Sequence, residues 1–138
     1  MNVNPYVSFD GRCAEAFKFY EQTLGGKIVF MTTWGESPMK DEFPAEAQGK
    51  VMHATLQLGE QVIMGADPPG EHYQKPQGIS ISINVKEKAD AERIFNALAE
   101  GGNVQMPFQE TFWAPGFGMC TDRFGIPWMV NCEHKPHE

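Results

Sequence analysis

Nowhere does the chain carry an apolar run approaching the roughly 18 residues that a membrane-crossing helix needs, so a helical span finds no support. The first residues have neither a basic start nor a hydrophobic stretch, which argues against export and for a cytoplasmic protein. Cysteine is scarce. Cys13, Cys120 and Cys132 form an odd set without a Cys-x-x-Cys, which excludes a disulfide scaffold and fits reduced thiols. Basic side chains are outnumbered, 11 Lys and Arg against 18 Asp and Glu, for a net charge of −7. That sign repels phosphate backbones and anionic lipid, so nucleic acid and membrane are not expected as partners. Familiar catalytic signatures are missing too: there is no HExxH, GxSxG or P-loop. Gly116-Phe117-Gly118 lacks the third glycine and the following helix of a dinucleotide fingerprint. His134 and His137, among charged terminal residues, read as a tail, 134–138, and not as a chelator.

What is present is 138 residues with 41% hydrophobic side chains, enough for one domain with its own core and no need of metal or disulfide to fold. An internal repeat organises it. Asn4 to Phe9 and Ser80 to Val85 each alternate polar and apolar residues, the period of a strand with one buried face. Each precedes a helical pattern: Ala16, Phe17, Tyr20 and Leu24 in the first half, and Ala91, Ile94, Phe95 and Leu98 in the second. Both helices are expected to stop at paired glycines, Gly25-Gly26 and Gly101-Gly102. A shift of 76 residues carries Asn4 onto Ser80 and one glycine pair onto the other.

Three further strands are expected in each half. In the first they are Lys27 to Trp34, Lys50 to Leu58 and Gln61 to Gly65, with Gly59-Glu60 as a type II′ hairpin turn. In the second they are Asn103 to Phe108, Phe117 to Thr121 and Ile126 to Cys132, with Asp122-Arg123-Phe124-Gly125 as a type I turn. The chain therefore reads as a single α+β domain of two tandem βαβββ modules, 1–67 and 76–133, joined by a proline-rich linker, 68–75, and forming a cupped mixed sheet. Residues 36–49 are a polar insertion in the first module alone, a lid, binding loop or partly helical excursion.

Tandem βαβββ modules resemble the vicinal oxygen chelate superfamily, the glyoxalase and bleomycin-resistance fold. Phe17-Lys18-Phe19-Tyr20 leading to Leu24-Gly25-Gly26, His53-Ala54-Thr55-Leu56, Met64-Gly65-Ala66-Asp67 and Asp122 to Trp128 look like its PhnB-like branch. The resemblance implies a cup for a small molecule and a homodimer, but not one reaction, since the superfamily hosts isomerases, dioxygenases, transferases and drug-binding proteins. It also implies four places for a divalent metal's ligands. These fall at Asn4 (or Pro5), Met64, Ser80 and Met129, which offer no carboxylate or imidazole, so no metal and no other cofactor is expected.

Strand parity gives a reading independent of family. Burying Pro5, Val7 and Phe9 leaves Asn4, Tyr6 and Ser8 on the opposite face, and burying Met52, Ala54, Leu56 and Leu58 leaves Val51, His53, Thr55 and Gln57. Ser80, Ser82 and Asn84, then Met129 and Asn131, face the same way in the second module. His53 is the one histidine on a strand interior and the candidate acid, base or ligand contact. Tyr6, Thr55, Gln57, Met64, Ser80, Ser82 and Met129 are candidate ligand contacts beside it, with Trp113 and Phe117 as an aromatic rim. Cys120 reads as an inert buried thiol and His72 as solvated. Two functions stay open: a metal-independent small-molecule-binding protein, or an enzyme of lyase, isomerase, transferase or dioxygenase type in which His53 is acid, base or relocated metal ligand.

Overall fold

The computed structural model describes residues 1–133; the expected tail, 134–138, lies outside the described residues. The chain divides into two compact units, Met1–Lys75 and the chain from Pro76 onward. In the first, β1 (Tyr6–Ser8) is followed by α1 (Cys13–Leu24), β2 (Lys27–Thr33), a short helix α2 (Ala45–Gln48), β3 (Val51–Leu58) and β4 (Gln61–Ala66). In the second, β5 (Ile81–Val85) is followed by α3 (Lys88–Ala99), β6 (Asn103–Gln109), β7 (Gly116–Thr121) and β8 (Pro127–Cys132). Each unit holds a four-stranded mixed sheet of the same design, ordered β1-β4-β3-β2 and β5-β8-β7-β6. The first strand runs parallel to the last, and the other pairs are antiparallel. The α+β class and the doubled βαβββ order are those read from the sequence, with β1 and β5 in equivalent places.

Strands begin later than their patterns suggested, at Tyr6 and Ile81, so Asn4 and Ser80 precede β1 and β5. Proline explains the first: Pro5 has no N–H to give a ladder, although its carbonyl still accepts from Met64 N at 3.0 Å. The long helices α1 and α3 each cover one face of their own sheet. Phe17 and Tyr20 of α1 meet Phe9, with ring centroids 5.9 and 6.4 Å apart. Ala91, Ile94, Phe95 and Leu98 of α3 are buried as their spacing requires. In both units a helix phenylalanine rests where a strand has no side chain: a Cβ on Gly65 would come within 2.9 Å of Phe17, and one on Gly118 within 2.6 Å of Phe95.

The repeated glycine pairs divide their labour. Gly25 and Gly101 take positive φ, 78° and 77°, which a glycine adopts without strain. Gly26 and Gly102 instead permit close approach: a Cβ would lie 2.6 Å from the Gln57 carbonyl in one unit and would clash with the Thr121 carbonyl in the other. The insertion is a partly helical excursion, with 3₁₀ turns at Trp34–Glu36 and Lys40–Glu42 before α2.

Candidate functional site

Hydrogen-bond register defines what each sheet presents on the face that its helix leaves uncovered. In the first unit Tyr6 lies beside Met64, Met64 beside Thr55 and Thr55 beside Phe30, one row across all four strands. His53, two residues from Thr55 along β3, shares that face. Its ring centroid is 5.6 Å from that of Tyr6 and 5.9 Å from that of Phe30, and its Nε2 is 3.1 Å from Thr55 Oγ1. An imidazole is thus held between two rings and hydrogen-bonded to a hydroxyl. Burial first, and the nearby Cys13 second, raise the Tyr6 pKa, so its phenol remains a hydrogen-bond donor in neutral solution. Gln57 shares the face by register, but its amide donates to the Gly59 carbonyl at 3.1 Å, away toward the hairpin.

The second unit repeats the row with different chemistry: Ser82, Met129, Met119 and Met106 lie side by side across its four strands. The next row pairs Asn84 with Asn131 and Asn131 with Phe117. Asn131 Nδ2 donates to Asn84 Oδ1 at 3.3 Å, while the buried Asn131 Oδ1 has no partner among the described residues. Trp113 packs edge-on to Phe117 at 5.3 Å and remains 44% exposed, and Phe112 beside it is 95% exposed. Ser80 and Met119 line a depression of about 260 Å³.

Pattern reading missed several of these residues. Phe30 escaped because a bulge between Ile28 and Phe30 reverses parity along β2, and nothing in the local sequence announces it. Val51, expected on the uncovered face, is 1% exposed, because a register shift at Met52 reverses parity between Val51 and His53; Asp67 then holds Val51 in place, accepting its N–H through Oδ2 at 2.9 Å and donating its own N–H to the Val51 carbonyl at 2.8 Å. Cys120 is buried, and burial, reinforced by the Asp122 carboxylate, pushes its thiol up to about 11, the state of an inert sulfhydryl. His72 stands exposed in a 3₁₀ turn.

The metal places that the resemblance implies can be tested on the donors present. Asn4 and Ser80 lie before β1 and β5, and within those strands register sets Tyr6 opposite Met64 and Ser82 opposite Met129. A phenol, a hydroxyl and two thioethers suit a divalent ion no better than the set expected from sequence. Among the described residues no three His, Cys, Asp or Glu side chains gather in a way that would hold a metal.

A family model described as 3-demethylubiquinone-9 3-methyltransferase matches residues 1–131. Protein YjdN of Escherichia coli (strain K12) is 33% identical over 139 residues, covering 95% of each chain. The crystal structure of protein PA1353 from Pseudomonas aeruginosa is 51% identical, with a TM-score of 0.89 over 98% of this chain and 99% of that one. The PhnB protein from Bacillus cereus, a putative 3-demethylubiquinone-9 3-methyltransferase by name, shares the fold at 22% identity, with a TM-score of 0.81 over 96% of this chain and 99% of that one.

Proposed function

Because this chain belongs to the family described as 3-demethylubiquinone-9 3-methyltransferase, a PhnB-like family on the glyoxalase and bleomycin-resistance fold, we propose that it is a small-molecule-binding protein. In the first unit the ligand contacts are Tyr6, His53, Thr55 and Met64; Ser82, Met129 and Trp113 are the candidate contacts of the second unit, taken by itself. The carrying observation is His53, an imidazole set between the rings of Tyr6 and Phe30 and hydrogen-bonded to Thr55 on the face that α1 leaves uncovered. The adjoining rings of Tyr6, His53 and Phe30 favour a flat ligand laid against them, and the hydroxyl, phenol and imidazole orient its polar groups. The family description names a methyl transfer. Among the described residues Gly116-Phe117-Gly118 lies at the start of β7, which turns into β8, and so supplies no strand-to-helix cradle for an adenosyl donor.

A second reading, an enzyme with His53 as acid or base, draws on the contact of its Nε2 with Thr55 Oγ1. Thermal-shift and calorimetric screening of wild type and His53→Ala against metabolites and antibiotics separates the two. A binding role predicts a loss of about 1–3 kcal/mol in affinity with the fold retained. A catalytic role predicts retained binding and lost turnover. Unchanged affinity together with unchanged turnover in His53→Ala defeats both readings.

The protein is further read as a cytoplasmic homodimer, with neither nucleic acid nor membrane as partner. Exposed Val29 and Phe30 on the edge strand β2, and Val104 on the edge strand β6, support self-association. The charge of −7 disfavours phosphate and anionic lipid. No helix among the described residues is long and apolar enough to cross a membrane. Light scattering at micromolar concentration is expected to give twice the chain mass.

A further inference from the structure

The first unit contains a second concavity, which the open sheet face does not use. A cleft of about 290 Å³ is bounded by the loop at Asp10 and Gly11, the excursion that carries Trp34, Phe43 and Glu46, and the turn from Asp67 to Tyr73. The excursion that walls it has no equal in the second unit, where β6 passes to β7 through residues 110–115 alone, whereas β2 reaches β3 through residues 34–50.

The walls are rings and prolines: Trp34, Phe43, Tyr73, Pro68 and Pro69. They are held in place. Trp34 Nε1 donates to the Asp67 carbonyl at 2.8 Å, its backbone N–H donates to the Lys50 carbonyl at 3.0 Å, and its ring lies 4.8 Å from that of Phe43. Beneath them the buried Asp67 carboxylate accepts N–H groups from Gly11, Cys13 and Val51. Charge then selects the occupant. Asp10, Glu46 and Asp67 line the cleft against one cation, Lys50, whose Nζ is turned to the Gly11 carbonyl at 3.3 Å. Asp10 is shared with Arg12 at 3.0 Å, while Glu46 makes no ion pair among the described residues. Ring faces and an uncommitted carboxylate attract a cation of low hydration.

We propose that this cleft binds a small organic cation, a quaternary or protonated ammonium, seated against Trp34, Phe43 and Tyr73 with Glu46 at its rim. The test titrates the full chain with choline and, separately, with its neutral isostere in which carbon replaces the ammonium nitrogen, by calorimetry and by one-dimensional NMR. Choline is expected to saturate and the isostere to bind about tenfold more weakly or not at all. Trp34→Leu and Glu46→Gln are each expected to weaken choline about tenfold, while Trp34→Phe, which retains a ring, loses less. Circular dichroism matching wild type qualifies each variant, and one that misfolds is replaced by Phe43→Leu, with the same weakening expected. The proposal is overturned if choline gives no saturable response, if the isostere matches it, or if choline binding is indifferent to the substitutions at Trp34, Phe43 and Glu46.

Discussion

Asp67 is a buried carboxylate with no ion pair among the described residues, and it is used as a backbone clamp. Three N–H groups, from Gly11, Cys13 and Val51, end on its two oxygens at 2.9 to 3.0 Å, tying the entry to α1 and the start of β3 to the end of β4. Asp67→Ala leaves all three without an acceptor and is expected to cost at least about 3 kcal/mol in urea denaturation. Cys120 acts through its proton. Its thiol, raised from 9.0 to about 11 by burial, stays protonated in the fold while the unfolded chain's thiol ionises. The folded state therefore holds the extra proton, and the contribution to stability, complete below 9.0, is lost as pH rises from there toward about 11. Denaturation midpoints are expected to fall more steeply across that window in wild type than in Cys120→Ala, which lacks the titration. Period-2 alternation made it legible that Tyr6, His53 and Thr55 share the open face, because β1 pairs regularly at Tyr6 and the irregularity in β3 falls at Met52, before His53. Asp67 was not legible as a clamp, since its partners are backbone groups as far as 56 residues away in sequence.

Elements read well where a local rule decides their ends, as the two Gly-Gly stops do. The first glycine of each pair supplies a positive φ and the second a missing Cβ, so substitutions sort by place. Gly102→Ala drives a methyl group into the Thr121 carbonyl and is expected to destabilise by about 2 kcal/mol or more. Gly49→Ala, at φ −82° with no atom near the new Cβ, is expected to stay within about 0.5 kcal/mol. Parallel denaturation curves check the pair. The turn from β7 to β8 was equally legible: Gly125 N donates to Asp122 O at 3.0 Å, and the Asp122 side chain also takes the N–H groups of Phe124 and Ile126 and the Trp128 indole. The excursion at 34–50 was legible only as an irregular insertion. Its ring-walled cleft forms because Trp34, Phe43 and Tyr73 meet in space with no periodicity relating them.

For the molecule as a whole, the shift of 76 residues was the most informative signal, because a duplicated pattern constrains order, pairing and handedness at once. The two halves kept the backbone design and diverged on their open faces, Tyr6, Met64, Thr55 and Phe30 in one against Ser82, Met129, Met119 and Met106 in the other. The parallel pairing of first strand with last also bears on how the protein is born. As the chain leaves the ribosome, Tyr6 emerges with no neighbour and must wait for Met64, and Ser82 must wait for Met129. Neither sheet can close until its final strand has been synthesised, yet the pairings that complete the first lie wholly ahead of the second. Synthesis thus delivers two successive closing events, and a nascent chain halted short of either one carries a finished helix beside a strand whose hydrogen bonds have nowhere to go.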